Sequence, residues 1–348
     1  MLLAATQPAQ MRFDFARRTF GRSTAGWVVR EEAIMGTAIR VELWAEDRRQ
    51  GEAAAAAVMD EMHRIDRSYS PHKASSELSR INREAGTRAV PLSEETFGLV
   101  ERALAFSRLT DGAFDISYAA AGRLYDYRQR QRPTPEALAA ARAAVGWQHL
   151  QLDANARTLR FGRPGMCIDL GGFAKGHAVD RAAAALRQRG VQHAYVAAGG
   201  DSRVIGSRRF TNAQGVTEQR PWTVAIRDPR RAGEVVAVLP LEDCSVSTSG
   251  DYERYFDDGA ERVHHLLDPA TGLSPQHVHS VTVIATDGLT SEALSKAVFV
   301  MGVQRGLALI HSQPGVDAVV VDASGALHAS AGLLHGGEAA PAAGITHQ

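Results

Sequence analysis

The chain has 348 residues, with 39 Lys plus Arg balancing 39 Asp plus Glu, and two cysteines. That length suits one large domain or two ordinary ones of about 100–200 residues each. Zero formal net charge argues against a dedicated nucleic-acid binder, which carries a basic excess. Cys167 and Cys244, each in an apolar strand-like context, form neither a disulfide framework nor a metal knot. No run of about 18 apolar residues occurs, so no membrane-spanning segment is read.

Residues 1–29 are polar and basic without periodicity and are expected to form a poorly ordered extension. Their Arg17-Arg18-Thr19-Phe20 run is similar to a twin-arginine export signal, but no apolar stretch follows it, so no signal peptide is read. Order is expected from Val28, with a turn at Met35-Gly36-Thr37 leading into an alternating strand over 38–44. Apolar residues at helical spacing predict a helix over 49–68. Pro71 opens a turn, and Ser75 or Ser76 caps a short helix after it. A further helix over 93–110 is closed by Asp111-Gly112. Asp115, between Phe114 and Ile116, is either a satisfied turn residue or a group facing a ligand. A helix over 135–146 and a hairpin over 150–161, turning at 153–155, follow.

The chain is organised around residues 167–206. An apolar run predicts a short buried strand over 167–170, which the Gly171-Gly172 pair ends. A helix follows over 174–188, with Gly190 placed as its C-terminal glycine. A second strand over 193–198 ends in Gly199-Gly200-Asp201. Either glycine turn serves tight packing or cradles a phosphate with backbone N–H groups. The G-x-G-x-x-G spacing and the Walker pattern are both absent. Strands over 222–226 and 235–239 pair around the turn 227–233, and further strands are predicted from Cys244, over 262–267 and over 281–285. A helix over 290–301 and a hairpin over 316–332 complete the elements. Residues 30–336 read as a single α+β domain and 337–348 as a flexible tail.

Three constellations bear on chemistry. His264-His265, ahead of Asp268-Pro269, offers a general base, and strand alternation lets one of the two face a given site. Glu292 and Lys296 lie four apart on one helix face, as an ion pair or as a carboxylate metal ligand beside a cation. Ser247-Thr248-Ser249-Gly250-Asp251 lacks the nucleophile elbow of serine hydrolases.

Taken together and in order, Met35-Gly36-Thr37, Ser76 to Asn82, Asp111 to Asp115, the run IDLGGFAKG, Ala198 to Asp201, SGDYERYF and HHLLDPATG resemble one family, the ApbE flavin transferases. The resemblance covers roughly residues 33–310. It implies a single α+β, T-fold-related domain that binds FAD in a cleft. It further implies that Mg²⁺ assists cleavage of the FAD pyrophosphate, that FMN passes to a Ser or Thr hydroxyl of an acceptor protein, and that AMP is released. By the same resemblance Met35, His72, Ala113, Phe114, Asp115, Asp169, Lys175, Ser249 and Gly250 line the flavin nucleotide, His72 standing where the family has an aromatic residue. His265 is the implied base, and Gly172, Glu292 and Lys296 fall on the metal-ligand positions. A cell-envelope location is implied by the family, a cytoplasmic one by the lack of a signal peptide. A flavin-binding module without transfer chemistry and an FAD pyrophosphatase are the alternatives.

One departure stands out. The family reads T-A-D-A-L-x-T on the late helix, where this chain reads Thr290-Ser291-Glu292-Ala293-Leu294-Ser295-Lys296. Glutamate moves the carboxylate one methylene outward, and Lys296 puts an ammonium where a hydroxyl should touch the cation. Either Lys296 points away and Glu292 with the Gly172 carbonyl holds a weakly bound metal, or Lys296 acts as a tethered cation near the diphosphate, the reading preferred here.

Overall fold

The computed structural model describes residues 25–211 and 216–334. Most of the expected N-terminal extension, residues 1–24, and the expected tail over 337–348 lie outside the described residues. Eight strands form one sheet: β1 (Gly26–Ile34), β2 (Thr37–Ala45), β3 (Ala194–Ala198), β4 (Asp201–Ile205), β5 (Ser245–Gly250), β6 (Val278–Ala285), β7 (Asp317–Asp322) and β8 (Leu327–Ala329). Their order across the sheet is their order along the chain, and every neighbouring pair is antiparallel. This is a meander with long excursions, which matches the α+β reading.

Three helices return from those excursions onto one face: α1 (Arg48–Tyr69), α2 (Ala174–Gln188) and α3 (Gly288–His311). Their apolar stripes meet the inward residues of the sheet. Ile39, Val41 and Leu43 are buried with Val58, Met62 and Ile65 of α1, Val179 and Leu186 of α2, and Leu294 and Val298 of α3. Asp47 caps α1 and Asp287 caps α3, each accepting a first-turn N–H, while Ser76 and Ser93 cap the helices Glu77–Glu84 and Glu94–Leu109. Gly190, just past the C-cap of α2, has φ 76°, as its predicted role requires.

The other face carries a smaller core of Val204, Trp222, Val246 and Ile284 beneath the hairpin Trp222–Arg227 and Val235–Leu241. Trp27 stands edge-on between Trp44 and Trp222, with centroids 5.6 and 5.4 Å away. The first described strand therefore starts at Gly26, two residues ahead of Val28, because Trp27 anchors it.

Other expectations are revised. Residues 167–170 form no strand; the Asn82 amide bonds both the N–H and the carbonyl of Ile168, at 2.8 and 2.9 Å. One side chain thus satisfies backbone groups that a ladder would otherwise serve. The helix predicted over 135–146 stops at Arg142, and the strand over 262–267 is confined to Glu261–His264. The helix predicted over 290–301 continues past a break at Gly302, where φ is 79° and ψ −179°. By length and hydropathy α3 passes as a bilayer-crossing helix, but its buried residues pack on β5 and β6.

Candidate active site

The site begins where two helices touch through glycine. A Cβ on Gly176 would lie 2.2 Å from the Gly288 carbonyl oxygen, and one on Gly288 would lie 2.3 Å from that of Gly176. Only glycine at both positions lets the first turns of α2 and α3 meet backbone to backbone. Asp180 fastens the crossing by accepting the Gly288 N–H at 2.8 Å. The crossing sets Lys175 of α2 beside Glu292 of α3.

Glu292 is fully buried. Its Oε1 accepts from Lys175 Nζ at 2.8 Å and from Lys296 Nζ at 3.2 Å, and its Oε2 accepts the Gly176 N–H at 2.6 Å. Lys175 also donates to Asp201, the first residue of β4, and Lys296 donates to the Glu292 carbonyl at 3.3 Å. Two serine pairs seat α3 on β5: Ser247 with Ser291 at 2.8 Å, and Ser249 with Ser295 at 2.9 Å. The cluster is polarised. Side-chain exposure is 0% for Glu292 and 2% for Asp201, against 26% for Lys175 and 21% for Lys296. The carboxylates form the back wall, and the exposed surface of the cluster belongs to the two lysine side chains.

Burial opposes charge on Glu292, but Lys175 and then Lys296 outweigh it and hold the carboxyl below its usual range. Burial and the Glu292 charge push Asp201 upward. Lys175 is raised, since Asp201 and Glu292 together overcome its burial, whereas burial prevails at Lys296 and lowers it.

His265 leaves the hairpin Tyr255–Asp258 and Glu261–His264, its N–H donating to the Arg254 carbonyl at 3.1 Å. Its Nδ1 is buried without a hydrogen-bond partner. Burial, reinforced by Arg254, His264 and Lys296, pushes its imidazole down to about 3, so it is neutral at physiological pH. The neighbouring turn does not depend on it: Asp268 accepts from the Ala270 N–H at 2.9 Å and the Thr271 hydroxyl at 3.2 Å. His264 faces inward, 2.9 Å from the Pro275 carbonyl and edge-on to Phe299.

Gly172, Lys175, Glu292 and Lys296 are thus brought together, and Ser249 joins them through Ser295, whose hydroxyl donates to the Glu292 carbonyl at 2.9 Å. Asp169 bonds the Gly171 N–H at 2.7 Å and so shapes the first glycine turn. Met35 sits in the β1–β2 turn with φ 55°, next to Gly36 at 70°, a left-handed pair that two-residue hairpins demand. Gly250 lies under the Tyr252 ring and Ala113 is half-buried, whereas His72 is exposed to solvent. Phe114 is turned into the core against Phe106 and Phe173. Asp115 resolves as the turn residue, with the Ser117 and Trp147 N–H groups each 2.8 Å from one of its oxygens.

The ApbE family model matches residues 35–320. The chain belongs to the ApbE family. The FAD:protein FMN transferase of Treponema pallidum (strain Nichols) is 31% identical over 325 residues, which is 90% of each chain. That of Haemophilus influenzae is 33% identical over 253 residues, 70% of this chain and 71% of its own. Among solved structures, the ApbE protein of Thermotoga maritima superposes with a TM-score of 0.80 at 32% identity, covering 89% of this chain and 98% of its own. The flavin transferase ApbE of Vibrio cholerae gives 0.75 at 29%, covering 88% and 98%.

For an ApbE protein, the departure on the late helix has a structural meaning here. Among the described residues no group of three or more His, Cys, Asp or Glu side chains is disposed to hold a metal. Both Glu292 oxygens are taken, and the Lys296 stem lies over Gly172: a Cβ there would be 2.8 Å from Lys296 Cε. At an effective dielectric near 20, two unit charges about 4 Å apart interact by about 4 kcal/mol, and a divalent ion doubles that repulsion. The residues implied as metal ligands therefore do not fit a divalent cation in this arrangement. Asp201, Gly176 and the two α3 serines are the members missing from the expected site. All four lie inside motifs the sequence already marked, Gly176 at the end of IDLGGFAKG, Asp201 after its glycine pair and the serines on the late helix, but nothing in the sequence joined them.

Proposed function

We propose that this chain is an FAD:protein FMN transferase acting on a Ser or Thr hydroxyl of an acceptor protein. The acceptor oxygen bonds to the phosphorus of the FMN half of FAD. The anhydride P–O bond to the AMP half breaks, and its electron pair leaves on the AMP phosphate. The hydroxyl proton passes to His265, whose neutral imidazole has an unpartnered, buried Nδ1; the negative charge of a bound diphosphate offsets the cationic charges that, with burial, hold that imidazole low in the ligand-free protein. Such proton transfer contributes typically about 10²–10⁴-fold in rate. Lys175 and Lys296 supply positive charge on the open side of the cluster, where the diphosphate and the developing charge on AMP require it. Asp201 and Glu292 hold those ammoniums in place. No step here runs through a metal ion.

One observation carries the reading: the lysine–carboxylate cluster stands at the glycine turn of a chain that matches curated FAD:protein FMN transferases over most of its length. Incubation with FAD and a Ser- or Thr-bearing acceptor should yield a covalently flavinylated protein and stoichiometric AMP. Tight FAD binding without AMP release under any condition overturns it, and FMN plus AMP without acceptor labelling makes the enzyme a pyrophosphatase instead.

A further inference from the structure

We propose that the Lys296 ammonium, held by Glu292 above the Gly171–Gly172 turn, is a built-in cation that binds the FAD diphosphate in place of a divalent metal. The inference rests on the reading of FAD as substrate, and deepens it by assigning this enzyme a metal-independent diphosphate site.

Three features of the cluster carry it. The first is attachment. Lys296 is bonded to Glu292 twice, at Oε1 and at the main-chain carbonyl, and the absence of a side chain on Gly172 leaves room for its stem. A carboxylate and a glycine turn therefore hold an ammonium much as metal ligands hold an ion. The second is valence. An ammonium has three N–H donors. Among the described residues Lys296 uses two on Glu292, and Lys175 uses one each on Asp201 and Glu292. Each lysine keeps one donor, and a diphosphate offers two phosphoryl groups to receive them. The third is direction. The carboxylates are sealed at 0% and 2% exposure while the lysine side chains keep 26% and 21%, so the surface the cluster offers to a ligand is that of its cationic residues although its charge sums to zero.

The test is FAD affinity, followed by flavin fluorescence on the full chain in EDTA and again in millimolar MgCl₂, with AMP release measured in parallel. The expected result is the same affinity in both, and no Mn²⁺ bound by the flavin-free protein in electron paramagnetic resonance. Lys296→Ala should weaken binding in EDTA by about 10- to 100-fold, the worth of a charge-assisted hydrogen bond. Lys296→Gln keeps a donor for Glu292 without the charge; it should show the same loss while remaining folded at the assay temperature, since Lys175 still pairs with Glu292. The pair Glu292→Asp with Lys296→Thr should bind FAD only when Mg²⁺ is present. Loss of FAD binding by the unaltered protein on chelation overturns the proposal, as does unchanged binding by Lys296→Gln in EDTA. AMP release that requires Mg²⁺ sinks it and leaves the transferase reading standing. Metal-free FAD binding with no AMP release does the reverse.

Discussion

Two clusters of charge share helix α2 and are built from the same kinds of residue. On one side Lys175 meets Asp201, Glu292 and Lys296. On another, His177 and Arg181 join Glu95, Glu61 and Arg64, with His177 2.7 Å from Glu95 and Arg64 donating to Glu95 at 2.6 Å and to Glu61 at 2.8 Å. In the second cluster the guanidinium chains of Arg64 and Arg181 are 36% and 52% exposed and the carboxylates are partly wet. Water shares the solvation, and the network ties three helices together with little else at stake. In the first, the carboxylates are sealed and the cations alone reach the open side. What separates the two clusters is how exposure is divided between the signs, not the number of ion pairs.

The sharpest way to break the contrast is at the crossing that creates the buried cluster. Gly176→Ala forces a Cβ into a main-chain carbonyl that has no rotamer to yield. A loss of about 3 kcal/mol or more is expected in urea unfolding. Glu292→Gln leaves two ammoniums short of their shared anion, and removing one partner of a buried pair costs about 3–5 kcal/mol. Glu95→Gln, in the wet network, should cost under about 1 kcal/mol. Equal losses at the two glutamates would erase the distinction.

Next in size is His265. His265→Asn should slow AMP release by about 10²–10⁴-fold and leave FAD affinity near the parent value. Its melting temperature should hold at neutral pH, because the Asp268 turn fastens itself. A slow variant that also melts early assigns His265 to structure.

A smaller effect tests the fit between Gly172 and Lys296. Gly172→Ala meets the Lys296 stem, whose far end can swing aside, so stability should change little while FAD binding weakens. In Lys296→Thr the obstacle is gone and the same alanine should be harmless. A coupling near 1 kcal/mol in the FAD-binding cycle is expected for side chains in contact; strictly additive effects contradict the packing described.

Much of this was legible in the sequence for identifiable reasons. Helix α2 declares itself through apolar spacing and Gly190, and the caps at Ser76 and Ser93 carry their own chemistry. Glu292 and Lys296 are neighbours by helix geometry alone, so their pairing was readable, though sequence spacing does not distinguish a surface pair from one beneath a crossing. Asp201 was marked by its glycine turn, but its pairing with Lys175 was out of reach because sheet order brings β4 beneath α2, a long-range fact. Residues 167–170 misled for a related reason. An apolar extended run reads as a strand until the partner of its backbone is known, and that partner is a side chain 86 residues away. Asp115 stayed ambiguous because the Trp147 N–H that completes its bonding arrives from another turn.

The gentlest test of the contrast is acid titration of stability. His265 and His264 are both held below their usual range, chiefly by burial. Above about pH 6.5 they are neutral whether the chain is folded or not, and their contribution is fully present. Between 6.5 and the native value of about 3 for His265, the unfolded chain binds a proton that the folded one refuses. Stability therefore falls with falling pH, by up to about 1.4 kcal/mol per unit for each such site. Glu95 has the other behaviour. Its hydrogen bond with His177 and those with Arg64 outweigh burial and lower its carboxyl, so its contribution is present above about pH 4.5 and is lost only below that. The two regions thus fail in separate windows. His265→Asn should reduce the slope of the stability profile between pH 6.5 and 4.5, leaving the share of His264, and should leave the limb below pH 4.5 in place. Glu95→Gln should leave the upper window alone and flatten the limb beneath it. Chemical denaturation in half-unit pH steps reads both, and a His265→Asn profile parallel to the parent from pH 6.5 to 4.5 would show that the imidazole is not held neutral by the fold.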